Sequence, residues 1–143
     1  MCGLAGIALP AGSPAPATGV LEAMIGALQH RGPDGSRVRV DGSVGLAHAR
    51  LSIIDLEGGW QPMGSADGGL QLAFNGEIFN HVELRAQLSR QGHVFATTSD
   101  TEVILHLYAR YGDDFADHLN GQFAIALHDV RRQRLVLLRD RIG

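Results

Sequence analysis

The chain has 143 residues, 45% of them apolar and 19% charged, with a formal charge of −3 and a pI near 6.1. That allows one domain of ordinary globular size and gives none of the basic field that nucleic acid or an anionic membrane surface would require. No apolar run reaches the roughly 18 residues of a membrane span, and the apolar start lacks a basic flank. The single cysteine cannot form an internal disulfide, and the seven histidines show no paired-ligand spacing, so a cytoplasmic protein with no metal is expected.

Residues 2–9 form a short apolar run suited to a buried strand, and the Pro, Ala, Gly and Ser residues of 10–17 suit a loop. Thr18 is placed to cap a helix whose apolar positions Leu21, Met24, Ile25 and Leu28 recur at helical spacing, with Gly32-Pro33 as its stop. Two strands are predicted around Asp41-Gly42, one carrying Val38 and Val40 and the other running from Val44 to Ile54. After the glycine-rich 64–69 turn, Leu70 to Phe74 makes a third strand that gives way to an Asn75-Gly76-Glu77 loop. Asn80 with Glu83, and Ser99 with Glu102, have capping-box spacing, which predicts helices near 81–91 and 100–111. Gly92 and Gly112 stand where a left-handed residue ends each helix, and a short helical turn follows at 113–119. Gln122 to Val130 and Arg134 to Arg139 read as a closing hairpin. Mixed strands and helices without a repeat indicate one layered α/β or α+β domain over 2–143. Its final apolar strand has no later element to cover it, so a domain truncated at its C-terminus is expected.

Cys2 carries the most chemistry. Small second residues permit removal of Met1, and a freed α-amine, with an unperturbed pKa of about 7.7–8.0, supplies a base beside the thiol nucleophile. Taken by itself, Cys2 also reads as a small buried hydrophobe. An arginine in an apolar strand, such as Arg50, is often half of a structural ion pair, and a lone Asn-Gly is usually a turn. Asp100, in the first turn of a predicted helix, is favoured there by the helix dipole alone, and His30 to Pro33 alone reads as a helix stop.

What discriminates is the order of the motifs. Cys2-Gly3-Leu4-Ala5-Gly6-Ile7, Arg31-Gly32-Pro33-Asp34-Gly35, Ala49-Arg50-Leu51-Ser52-Ile53-Ile54-Asp55, Gln61-Pro62-Met63, Phe74-Asn75-Gly76-Glu77-Ile78-Phe79-Asn80 and Ser99-Asp100-Thr101-Glu102 follow one another, and Asn120-Gly121-Gln122-Phe123 and Arg139-Asp140-Arg141-Ile142-Gly143 extend the series to the end. This series resembles the glutaminase domain of the glutamine-hydrolysing asparagine synthetases, a branch of the class II glutamine amidotransferases that also includes enzymes amidating other carboxylates. The resemblance implies an α+β four-layer αββα sandwich of the N-terminal nucleophile hydrolase type.

It also implies roles. Cys2 matches the nucleophile, while Asn75, through its side-chain amide, and Gly76, through its N–H, match the oxyanion hole. Arg50 matches the residue that grips the glutamine α-carboxylate, Glu77 and Asp100 match the acids that receive its α-amino group, and Arg31 and Gly32 match a loop covering the site. No cofactor is expected for this segment. A synthetase domain using ATP and Mg²⁺ to convert aspartate to asparagine is expected as the partner in the intact protein, with a homodimer as one assembly the family allows. A non-catalytic domain that senses glutamine, or only packs against a partner, would need the same pocket without the reactive thiol.

Overall fold

The computed structural model describes residues 2–142. Met1 and Gly143, on which the expected methionine removal and the last residue of the closing motif bear, lie outside the described residues. Seven strands and three helices are defined: β1 (Gly3–Ala8), α1 (Thr18–Gly26), β2 (Ser36–Asp41), β3 (Val44–Ala49), β4 (Met63–Gly64), β5 (Leu70–Ile78), α2 (His81–Arg90), α3 (Asp100–Tyr111), β6 (Gly121–Asp129) and β7 (Arg134–Arg139), with 3₁₀ turns at Gln29–Arg31 and Gly112–His118.

The strands form two antiparallel sheets, ordered β1-β3-β2 and β4-β5-β6-β7. Asp41 pairs with Val44 across a two-residue hairpin turn, and Gly42 supplies the positive φ (55°) that such a turn needs. α1 lies on the first sheet through Leu21 and Ile25, one helical turn apart, which pack on Ala47 and Ala49. α2 and α3 cover the second sheet, where Leu84, Leu88, Ile104 and Leu107 meet Leu72, Phe74 and Leu127. Burying each of these Leu or Ile side chains contributes about 1.5–3 kcal/mol, so α2, with only Leu84 and Leu88 buried, is the lightly held helix of the pair. Between the sheets lie Val44, Leu46, Ala73 and Ala126, with Leu4 and Leu135 against them. The order of layers is therefore helix, sheet, sheet, helix.

Several expectations change in detail. The strand expected to run to Ile54 ends at Ala49, because Arg50 and the residues after it fold into a loop that wraps the Arg50 guanidinium. The loop expected at 75–77 is instead a continuation of β5. Its residues keep their pairing with β6 because Gly76 adopts φ 153°, and a side chain there would strike the Gln122 carbonyl. Thr18 is the first residue of α1 rather than its cap, and the cap position belongs to Ala17. Asn80 does not cap α2 with its side chain. Its amide instead donates to the His118 carbonyl and accepts from the Asn120 N–H, tying the start of α2 to the turn before β6. Ser99 does cap α3, accepting from Thr101 N–H, but the buried Glu102 accepts from the Ala96 and Thr97 N–H groups instead of closing a box.

Candidate functional site

The open edge of β5 organises the site. β4 pairs only with Leu72 and Gln71, so from Phe74 onward the side of β5 away from β6 has no strand partner. Backbone groups alternate in direction along a strand. Phe74 N–H donates to the Gln61 side-chain oxygen at 2.5 Å, and Ile78 N–H donates to the Asp100 carboxylate at 3.1 Å. Gly76, two residues from each, shares their direction, and its N–H is therefore turned toward the same open side between these two capped positions.

Beside this edge lies a cavity of about 150 Å³ lined by Cys2, Arg50, Asn75, Gly76, Glu77 and Asp100, and also by His48, Gln61, Thr101 and Gln122. The first six are the residues expected to be catalytic or to bind substrate, and they arrive from four separate stretches of chain. A second hollow of about 870 Å³ shares Asn75, Gly76 and Gln122 as a wall and is otherwise lined by Phe79, the 116–120 turn, β6, Leu138 and residues 139–142, without Cys2 or Arg50.

Cys2 is half-buried at the start of β1. Its Sγ accepts from Leu51 N–H at 3.3 Å and lies 3.6 Å from the Leu51 carbonyl, so the first residue after the Arg50 corner fixes the sulfur. Arg31 and Gly32 are not among the residues lining the cavity. Arg31 Nε donates to the Cys2 carbonyl at 3.2 Å, and Gly32 sits so close to β3 that a Cβ there would be 2.2 Å from the Ala49 carbonyl. Asp34 N–H bonds the Arg50 carbonyl and Arg50 N–H bonds the Gly35 carbonyl. The 31–35 segment thus braces Cys2 and Arg50 from behind, since its backbone is committed to β3, and the residues of the 50–59 loop, Leu51, Ile53 and Ile54, line the cavity where the covering loop was expected.

Arg50 is 3% exposed. Its guanidinium donates to the carbonyls of Leu56 and Asp55 and lies 4.8 Å from the Trp60 ring centroid, with Arg37 at 4.1 Å from the same ring. The nearby carboxylate of Asp55 is engaged by Gly58 and Thr98 N–H groups, and among the described residues no salt bridge involves Arg50. The Asp55 charge acts on Arg50 without a salt-bridge contact, and a buried cation whose hydrogen bonds go to carbonyls remains electrostatically open to an anion. Among the described residues the structural ion pair that Arg50 alone suggested is absent.

Asp100 supplies the opposite sign. It is buried at the first turn of α3, and burial raises its carboxyl pKa above the ordinary value, with the Ile78 N–H bond opposing and the Glu77 charge adding to the rise. A cation beside it would lower that pKa again. Glu77 is exposed on β5 and lines the same cavity. One cavity therefore offers a buried cation, two acids and a thiol. Among the described residues no three His, Cys, Asp or Glu side chains gather as a metal site requires.

The sequence reading missed His48, Gln61 and Thr101. His48 Nε2 lies 3.2 Å from the Phe74 carbonyl, and Gln61 Nε2 donates to Thr101 Oγ1 at 3.2 Å. Burial brings the His48 pKa down to about 4, with the Phe74 bond opposing and the Arg50 charge assisting. The available signals were a histidine inside the apolar stretch Val44 to Ala49 and a glutamine next to a proline, neither of which discloses its partner.

The family model described as glutamine amidotransferase domain matches residues 1–143. The chain is 46% identical to the glutamine-hydrolyzing asparagine synthetase 2 of Bacillus subtilis (strain 168), an alignment covering 100% of this chain and 19% of that protein. It is 47% identical to the glutamine-hydrolyzing asparagine synthetase 2 of Oryza sativa subsp. japonica over 81% of this chain and 19% of the other. Among solved structures, the glutamine phosphoribosylpyrophosphate amidotransferase of B. subtilis superposes with a TM-score of 0.70 at 25% identity, covering 89% of this chain and 35% of that one. An allosteric regulatory enzyme of purine biosynthesis superposes with a TM-score of 0.59 at 31% identity over 73% of this chain and 25% of the other. The chain spans about a fifth of the length of these synthetases (19%). No helix among the described residues is long and apolar enough to cross a membrane.

Proposed function

We propose that this chain, which belongs to the glutamine amidotransferase domain family, hydrolyses free glutamine with Cys2 as its nucleophile. The observation that carries the assignment is the buried Arg50, which makes no salt bridge among the described residues, in one cavity with Asp100 and the Cys2 thiol. Free glutamine has a carboxylate for Arg50, an ammonium for Asp100 and Glu77, and a side-chain amide for the thiol. A peptide-bound glutamine lacks both charges, and the cavity would leave Arg50 and Asp100 unpaired.

In this mechanism Cys2 Sγ forms a bond to the amide carbon while its proton passes to the Cys2 α-amine, and the oxygen that becomes anionic is held by Asn75 Nδ2 and Gly76 N–H. The protonated amine gives its proton to the leaving nitrogen, the C–N bond breaks, and ammonia departs from a thioester. Water then adds with its proton taken by the same amine, the C–S bond breaks, and glutamate and the thiol are restored. The scheme requires a free α-amine on Cys2, hence loss of Met1. The proposed acceptor of the ammonia, by analogy with the synthetase relatives, is aspartate, activated with ATP and Mg²⁺ in a synthetase portion. No residue cluster described here fits that metal, and no step above uses it. A different carboxylate acceptor is compatible with the same glutaminase half.

The test is glutamate release from glutamine by protein shown by mass spectrometry to begin at Cys2. Cys2→Ser is expected to lose turnover and to retain glutamine binding by calorimetry. Undiminished turnover in Cys2→Ser refutes the nucleophile, and undiminished turnover with Met1 retained refutes the amine base. Glutamine binding without turnover in the processed wild type identifies a glutamine sensor instead.

A further inference from the structure

Resting on the glutaminase reading above, we infer that His48 and Gln61 are positioning residues that together replace the missing strand partner at Phe74 and thereby set the direction of the oxyanion donors Asn75 and Gly76. Phe74 is the residue at which β5 loses the support of β4. Both of its outward backbone groups have side-chain partners instead of a strand: N–H to Gln61 Oε1 at 2.5 Å and C=O to His48 Nε2 at 3.2 Å. The next peptide along the chain belongs to Asn75.

The two side chains come from different parts of the fold. His48 projects from β3 in the first sheet, 1% exposed, so its bond crosses from one sheet to the other. Gln61 is 6% exposed, and its amide nitrogen is tied to Thr101 Oγ1, one residue past Asp100 on α3. Asp100 in turn accepts from Ile78 N–H. β5 is thus gripped at 74 and at 78, and among the described residues no hydrogen bond from outside the strand fixes the Gly76 N–H between the grips. A peptide so placed is aimed by its neighbours.

The protonation state of the imidazole follows from the partner. A carbonyl oxygen only accepts, so Nε2 must bear the hydrogen, and burial keeps the ring neutral through the ordinary range of pH. Nδ1 is then a bare acceptor, and it has no hydrogen-bond partner among the described residues. His48 therefore acts as a neutral donor. In this assignment it takes no proton from substrate, and its contribution is to geometry, where a misplacement of about 1 Å costs on the order of 10²-fold in rate.

The experiment uses the full chain with its amino terminus processed and two readouts: amide hydrogen exchange at Phe74, and glutaminase kinetics. His48→Phe and Gln61→Leu remove the grips, while His48→Gln keeps an amide donor for the Phe74 carbonyl. The expected result is at least tenfold faster exchange at Phe74 in Gln61→Leu. In both disruptive variants kcat should fall about 10–100-fold with the KM for glutamine within about twofold of wild type. His48→Gln should recover most of the kcat lost in His48→Phe. Unchanged exchange at Phe74 in a folded Gln61→Leu overturns the proposal, as does accelerated exchange with unchanged kcat, or a loss carried by KM alone. A variant that does not fold counts against it if its partner substitution, folded, leaves kcat intact. A wild-type chain that shows no turnover would instead bring down the glutaminase reading and this inference with it, and is told apart by occurring before any substitution is made.

Discussion

Replacing Gly76 by alanine isolates how β5 and β6 hold the proposed oxyanion donor. Gly76 has φ 153°, and a Cβ added there would sit 2.1 Å from the Gln122 carbonyl oxygen, 2.6 Å from Phe123 Cα and 2.9 Å from Phe123 Cβ. The obstacles are mostly backbone, so no rotamer change relieves the overlap. Nor can the strands part at one point, since pairing is continuous from Leu70↔Asp129 to Ile78↔Gly121. The backbone conformation alone costs an L-residue about 1–3 kcal/mol and the overpacking about 1–3 kcal/mol more, for a loss of about 2–6 kcal/mol. With a urea dependence of about 1–3 kcal/mol per molar, the unfolding midpoint should drop by on the order of 2 M. Gly68→Ala is the control, because Gly68 has φ 71° with nothing within 4 Å of its added Cβ, so it carries the conformational cost of about 1–2 kcal/mol without the overlap. Paired urea titrations of the two variants at one pH suffice. A Gly76→Ala midpoint no lower than that of Gly68→Ala would refute the close-approach argument.

Arg50→Ala should raise the KM for glutamine about 10–100-fold with a modest change in kcat, whereas Asn75→Ala should lower kcat about 10²–10³-fold with KM little changed. Steady-state kinetics on folded protein decide this, and the reverse pattern would mean the two roles are exchanged. Asp100, with its carboxyl pKa raised, should lose its charge at a higher pH than an ordinary aspartate, so KM for glutamine rises on the acid side and Asp100→Asn both raises KM and flattens that limb; a limb that survives in Asp100→Asn assigns it elsewhere. Stability has its own pH dependence: unfolded His48 binds a proton below about 6.5 and folded His48 only below about 4, so the unfolded state gains protons first. Folding free energy should therefore fall by about 3 kcal/mol between pH 6.5 and 4 from this residue, level off below, and lose that component in His48→Gln. An identical pH slope in wild type and His48→Gln by urea titration would contradict it.

Periodicity disclosed β1, β2, β6 and β7 nearly to the residue, because each alternates or runs apolar between turn formers, and both glycine helix ends have positive φ, 93° at Gly92 and 58° at Gly112. β4 escaped notice because two residues carry no period. The strand reading of 50–54 failed for a tertiary reason: the Arg50 guanidinium draws the carbonyls of 55 and 56 around itself, a bond pattern that hydropathy does not encode. Asn75-Gly76 looked like a turn since glycine's conformational freedom is shared by turns and by crowded strands, and only the distance to Gln122 distinguishes them. Cys2, Arg50 and Asp100 were singled out by the ordered motif series that carries them, since each taken alone also had an ordinary structural reading. His48 and Gln61 were not, since their importance lies in which backbone groups they meet across the fold.

The cavity joins the earliest and some of the later residues to be synthesised. Cys2 is synthesised 98 residues before Asp100 and 120 before Gln122, which line the same cavity. At translation speeds of about 5–20 residues per second, the thiol spends roughly ten seconds as an ordinary cysteine, with no partner for a glutamine zwitterion assembled around it. During that interval it is open to oxidants and alkylating agents yet idle toward amides. On the proposed mechanism, a chain whose Asp100 and Gln122 are not yet made lacks the assembled site that ammonia release requires, and covalent labelling of Cys2 by a glutamine-shaped reagent, set against labelling by a small generic one, would time the moment at which the nascent protein becomes native.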